Sequence, residues 1–181
     1  MQESRKHIAL IGFMGAGKTC VARELATRYG RGRVDLDEAI ETKVGKSVAD
    51  IFMQDGERRF RELELEALNT ALSQPKTTII ACGGGTVTNP ENLALLKSKA
   101  VVVYLSVAPE LALVRIDDWA TRPLLTLAGN ADAVYALAQS RLALYEAAAD
   151  ISVNTDKLDI SEVADTVVLK MKEAGYAELL A

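Results

Sequence analysis

Two hydrophobic rhythms alternate along the chain. HIALIGF (7–13), TTIIAC (77–82), AVVVYLS (100–106) and DISVN (150–154) are short runs with apolar residues at successive positions, and RVDLD (33–37) is a shorter candidate. Such runs suit strands covered on both faces. Between them the apolar positions fall at helical spacing. Val21, Ala22, Leu25, Ala26 and Tyr29 form one stripe, stopped by Gly30. Ser47-x-x-Asp50 resembles a capping box that opens a short helix. A longer helix is expected over 57–73, where Phe60, Leu63, Ala67 and Ala71 share a face before Pro75, and two more over 130–148 and 160–174. This alternation predicts an α/β fold: a parallel sheet between helical layers, with ligands at the C-terminal strand ends.

The first strand runs directly into GFMGAGKT, which places Gly12, Gly17, Lys18 and Thr19 at the spacing G-x-x-x-x-G-K-[ST]. Glycines let the backbone curl until its N–H groups point at phosphate oxygens. The lysine reaches the β- and γ-phosphates, the threonine hydroxyl serves Mg²⁺, and the helix N-terminus adds partial positive charge. The stretch Gly15, Ala16, Gly17, Lys18, Thr19 and Cys20 is therefore the expected cradle of a nucleoside triphosphate. For Cys20 a small buried packing role is expected over an acidified, reactive thiol.

What accepts the phosphoryl group must be read from weaker signals. Asp35 and Asp37 stand two apart at the end of the second apolar run, where strand alternation sends both side chains to one face. One could help Thr19 hold Mg²⁺ and the other could accept a hydrogen bond from an attacking hydroxyl; the competing reading is a helix N-cap. In GERRFRELELE, Glu57, Arg61 and Glu64 share a helical face, either as a solvated salt-bridge stripe or as braces for a planar guanidinium fork. The run ACGGGTVT gives up side chains at 83–85, as if something had to lie against bare backbone. Arg115, Arg122 and Arg141 follow, and IDDWA, with Trp119, has the uneven polarity of a mobile flap.

Composition narrows the class further. The 181 residues most simply make one domain, 49% apolar and 25% charged. A net charge of −4 argues against a nucleic-acid footprint. Two cysteines, Cys20 and Cys82, are too few for a disulfide framework and fit a reducing cytoplasm. No run approaches the ~20 apolar residues of a membrane span, and the apolar run after the basic start is too short and glycine-broken for a secretory signal. The sole histidine, His7, is expected at the surface, ahead of the first strand.

Taken in order, GFMGAGKT, DLD, SVADIF…DGE..FR..E, CGGGTVT, RPLL and R.ALY resemble the shikimate kinase family over nearly the whole chain. The resemblance implies transfer of the ATP γ-phosphate to the 3-hydroxyl of shikimate, on the route to chorismate and the aromatic amino acids. It also implies a P-loop, nucleoside-monophosphate-kinase-like fold with a five-stranded parallel sheet, an acceptor region near 35–65 and a lid near 115–126. By position, Asp37 matches the hydroxyl ligand and proposed base, and Arg61 and Arg141 match the carboxylate clamp. Gly84 and Gly85 match the backbone under the ring, and Glu64 matches a brace for the arginine. Arg122 matches the lid arginine over the phosphates, and Arg115 a position near adenine. Val48, Phe52 and Phe60 match apolar walls. Where the family often carries an arginine and a proline beside adenine, this chain has Leu158 and Ile160, so no side-chain contact to the base is expected from that loop. ATP, shikimate and Mg²⁺ are the expected ligands of a cytoplasmic monomer. The alternatives are another small-acceptor kinase, of gluconate or nucleotide type, and a nucleotide-dependent switch. No glycine here has an aspartate three residues earlier, as a D-x-x-G switch would require.

Overall fold

Period-two alternation within the apolar runs sets the layering of the molecule. The structure is a computed structural model that describes residues 5–116 and 131–181. Its strands are β1 (His7–Ile11), β2 (Gly32–Asp35), β3 (Thr78–Ala81), β4 (Ala100–Ser106) and β5 (Ile151–Asn154). They form one parallel sheet in the order β2-β3-β1-β4-β5, with Ile8 of β1 paired to Ile79 on one side and Val101 on the other. Ile8 and Leu10 face a core built with α1 (Lys18–Tyr29) and the C-terminal helix α8 (Ile160–Glu173). Ala9 and Ile11 face the opposite core, which is closed by α4 (Gly56–Leu72), α5 (Pro90–Lys99), α6 (Pro109–Arg115) and α7 (Ala131–Ala148). Each fully buried leucine or isoleucine there contributes roughly 1.5–3 kcal/mol of transfer free energy.

A third, smaller cluster fixes the acceptor side. Ile40, Ile51, Phe60 and Leu63 lock α2 (Leu36–Val44) and α3 (Val48–Gln54) onto α4. Ser47 caps α3, its hydroxyl accepting from the Asp50 N–H at 3.0 Å.

Three expectations change. RVDLD is not a strand to its end: β2 stops at Asp35, whose Oδ1 accepts from the N–H groups of Asp37 at 3.1 Å and Glu38 at 3.4 Å and so caps α2. Asp37 therefore lies in a helical first turn, where a carboxylate is favoured by the helix dipole, and not on a strand face shared with Asp35. Helices α5 and α6 have no counterpart in the apolar periodicity, although both begin with proline at the first position and Asn89 caps α5. Finally, His7 is no surface residue. It opens β1 at 2% exposure, its Nδ1 accepting from the Thr78 N–H at 3.3 Å.

Burial lowers the pKa of His7, with Lys6 and Lys99 adding to the effect and a hydrogen bond to the Leu72 carbonyl opposing it. A depressed folded pKa means that the unfolded chain binds the proton more readily. The stability His7 contributes is then complete above its unfolded pKa, near 6.5, and is lost as the pH falls through the folded value. We expect unfolding free energy to fall faster below about pH 6.5 in the wild type than in His7→Asn, by at most about 1.4 kcal/mol per pH unit. Parallel slopes in urea melts at pH 7.5, 6.5 and 5.5 would remove His7 from the pH dependence.

No helix among the described residues is long and apolar enough to cross a membrane.

Candidate functional site

A cleft of about 940 Å³ lies along the C-terminal ends of the strands. Every residue singled out from the sequence as a ligand lines it, except Arg122, which together with Trp119 and most of the expected lid falls outside the described residues. A smaller hollow of about 300 Å³ lies elsewhere, lined by Arg5, Lys6 and Tyr176 among others. Its arginine is already engaged by Asp150 and Tyr176.

One end of the cleft is the glycine loop. β1 stops at Ile11 because Gly12 takes φ 144°, and a Cβ there would stand 2.3 Å from the Leu105 carbonyl oxygen. Gly17, at φ 87°, is the N-cap of α1, so the loop hands its backbone directly to a helix N-terminus. Lys18 folds back, its Nζ donating to the Phe13 carbonyl at 2.9 Å. The Thr19 hydroxyl donates to Asp35 Oδ2 at 2.6 Å. Asp35 thus does two things at once: one oxygen caps α2 and the other meets the loop threonine. A hydroxyl and a carboxylate oxygen side by side fit a divalent cation that takes its remaining oxygens from phosphate and water.

Cys20 is exposed on the rim of this cleft and not buried in packing, which corrects the sequence expectation; Cys82 is the buried thiol, its pKa raised by desolvation. Across from the loop, Arg115 donates to the Thr155 hydroxyl at 3.0 Å and to the Thr155 and Asp156 carbonyls at 2.8 and 3.3 Å. Thr155 carried no sequence signal, because the contact spans some 40 residues. Leu158 and Ile160 add apolar wall here, and the intervening Asp159 is spent on a capping box with Glu162.

The other end is built around the three glycines. None of Gly83, Gly84 and Gly85 has a positive φ, so the backbone does not require glycine at these positions. Room does. A Cβ on Gly85 would stand 2.5 Å from Nη2 and 2.7 Å from Nη1 of Arg61. One on Gly83 would stand 2.8 Å from Glu64 Oε1 and 3.3 Å from Asp37 Oδ1. A Cβ on Gly84 would make only ordinary contacts, 3.7 Å from Arg141 Nη1 and from the Met14 backbone nitrogen of the phosphate loop and 3.8 Å from the Gly12 carbonyl oxygen. The missing side chains at 83 and 85 therefore make room for the protein's own charged groups, whereas at 84 a Cβ would fit.

The two arginines differ in how they are held. Arg61 Nη1 donates to Glu64 at 2.9 Å, while Nη2 and Nε donate to Glu57 at 3.0 and 3.3 Å. Glu64 is fully buried and also accepts from the Thr86 hydroxyl at 2.7 Å. Burial alone would lower the Arg61 pKa; the two carboxylates outweigh it and the net shift is upward. Arg141 is 6% exposed, and its Nη1 has no hydrogen-bond partner among the described residues. A buried charged N–H left in that state costs about 1–3 kcal/mol or more, which an incoming anion would offset. Val48, Phe52 and Phe60 form the apolar wall opposite, the two phenylalanine rings 4.7 Å apart.

Gly85→Ala tests this picture. Its φ of −100° suits alanine, so the fold should persist while the new methyl displaces the Arg61 guanidinium. Acceptor KM should rise roughly tenfold or more with nucleotide KM unchanged, since misplacement of about 1 Å can cost a hundredfold. Wild-type acceptor KM in this variant would show that the guanidinium position is irrelevant.

Three comparisons bear on the site. The sequence profile of the family described as shikimate kinase matches residues 14–172. The shikimate kinase of Dehalococcoides mccartyi is 40% identical over 165 residues, covering 91% of this chain and 93% of that protein. Among solved structures, shikimate kinase from Acinetobacter baumannii in complex with shikimate superposes with a TM-score of 0.90 at 35% identity, covering 96% of both chains. The deoxyadenosine kinase from M. mycoides with bound dCTP, at 18% identity and a TM-score of 0.59 over 92% of this chain and 99% of that one, shares the fold alone.

Proposed function

The chain belongs to the shikimate kinase family and phosphorylates shikimate with ATP, and on that premise we propose how its own residues divide the work. The observation that carries the proposal is the unpaired Nη1 of buried Arg141, which borders the Cβ position of Gly84 together with the Met14 backbone nitrogen of the phosphate loop. An anionic ring seated there is recognised by charge and lies next to the triphosphate.

The roles then follow. Arg141 and Arg61 grip the carboxylate of shikimate, and Gly84 and Gly85 run beneath the ring. Asp37 orients the 3-hydroxyl for in-line attack on the γ-phosphorus. Such a transition state is loose and asks the protein mainly for positioning and charge. The backbone from Gly15 to Cys20 cradles the phosphates, and Lys18 exchanges the Phe13 carbonyl for phosphate oxygens as nucleotide binds. When bound, Mg²⁺ supplies further positive charge to those oxygens, and Thr19 and Asp35 are the residues that would hold it. Arg115 borders the base, and the apolar surface of Leu158 and Ile160 in the same cleft does so too, against the sequence expectation of no side-chain contact from that loop. Arg122, within a lid near 115–126, closes over the phosphates and helps exclude water, the competing acceptor. The two free cysteines suit the cytoplasm.

ADP release at fixed MgATP should be fast with shikimate and near background with gluconate, nucleoside monophosphates or no acceptor. Rapid turnover of a nucleoside monophosphate, or slow nucleotide hydrolysis that ignores shikimate, would overturn the assignment.

A further inference from the structure

Tyr145 touches no ligand surface, yet its hydroxyl is tied to the acceptor site. It lies on α7, one helical turn beyond Arg141, at 1% exposure. Its ring stacks on Tyr104 at 5.2 Å between centroids and 19° between planes. Its O–H donates to the Gly84 carbonyl at 2.5 Å. The Arg141 guanidinium stands beside the same oxygen.

Two consequences follow from that one oxygen. The peptide joining Gly84 to Gly85 is trans, so its N–H is antiparallel to its carbonyl. Holding the Gly84 carbonyl down onto a buried phenol turns the Gly85 N–H away from the core, toward the cleft side of the loop. On its other side, the oxygen offers lone pairs to Arg141, which favours the orientation that leaves Nη1 unpaired beside Gly84. Without side chains at 83–85, the loop has no Cβ atoms of its own to fix these orientations.

We propose that Tyr145 is a positioning residue for the acceptor carboxylate, one hydroxyl that sets both the Gly84–Gly85 peptide and the Arg141 guanidinium. This rests on Arg141 being the carboxylate ligand. Burial pushes the Tyr145 hydroxyl up to about 12 against the pull of Arg141, so it keeps its proton and remains a donor across the working pH range.

The test is Tyr145→Phe, which keeps the stacked ring and removes one oxygen, with Tyr104→Phe as the control for loss of a hydroxyl in the same stack. Each is assayed with shikimate and with its uncharged methyl ester, and melted to confirm folding. Tyr145→Phe should raise the KM for shikimate roughly tenfold, the effect of one lost hydrogen bond at a charged site. The KM for ATP, and the low kcat/KM for the ester, should stay within twofold of wild type. Tyr104→Phe should match wild type throughout. An unchanged shikimate KM, or an equal loss on shikimate and ester, would reduce Tyr145 to a core residue and overturn the inference while the functional assignment stands. If the wild type itself does not turn over shikimate, the assignment fails and the inference fails with it.

Discussion

Asp37→Asn should lower kcat with shikimate by roughly a hundredfold or more, while the KM for ATP stays within about twofold. The substitution is nearly isosteric, so the crowded space between Gly83 and Asp37, where a Cβ would already be 3.3 Å from Oδ1, is preserved. The start of α2 survives as well, because Asp35 supplies the cap, accepting from the N–H groups of residues 37 and 38. What changes is charge. An amide cannot accept from the attacking hydroxyl as strongly as a carboxylate, and it presents a donor edge where an acceptor is needed. Positioned acid–base groups contribute about 10²–10⁴ in rate, and orientation is realised only when both substrates are bound, so the loss belongs in kcat. A variant that keeps kcat within threefold of wild type would remove Asp37 from the chemistry.

Replacing Arg141 with methionine should be the most damaging change to acceptor binding. Methionine fills much of the same buried volume without a charge, so the core around Val134 and Tyr145 stays packed. Arg61 cannot compensate, since Glu57 and Glu64 fix its guanidinium in place for its own contact with the carboxylate. Removing one partner of a buried charge-assisted pair typically costs about 2–5 kcal/mol, which at 1.4 kcal/mol per decade is some thirtyfold to several thousandfold in shikimate KM. The KM for ATP should barely move. If Arg141→Met binds shikimate normally, the carboxylate is held elsewhere and the orphaned Nη1 has another purpose.

The parts of this arrangement that sequence revealed are those set by local spacing. The phosphate loop, its helix and the five apolar runs could be read directly, because period two, period 3.6 and glycine placement are properties of neighbouring residues. The acceptor side was legible only in part. Asp35 and Asp37 were recognised as a pair, but strand alternation gave the wrong reason for it: the cap by Asp35 ends the strand and places Asp37 in a helix. The glycine triplet stands out in the sequence, yet its purpose at 83 and 85 depends on Glu64 and Arg61 of α4, which a one-dimensional pattern cannot bring into contact. His7 looked superficial because nothing in the flanking residues announces the Thr78 N–H it satisfies. Tyr145 was visible only as a letter in R.ALY; its bond to Gly84 spans 61 residues of chain.

The central claim is that one cleft holds a triphosphate by main-chain amides while two guanidinium groups grip an acidic ring beside it. Isothermal titration calorimetry of shikimate into the protein, saturated with Mg²⁺ and a non-hydrolysable ATP analogue, addresses it directly. The account predicts saturable one-to-one heat with the wild type and none in the same concentration range with Arg141→Met. No heat from the wild type, or identical isotherms from the two proteins, would contradict it.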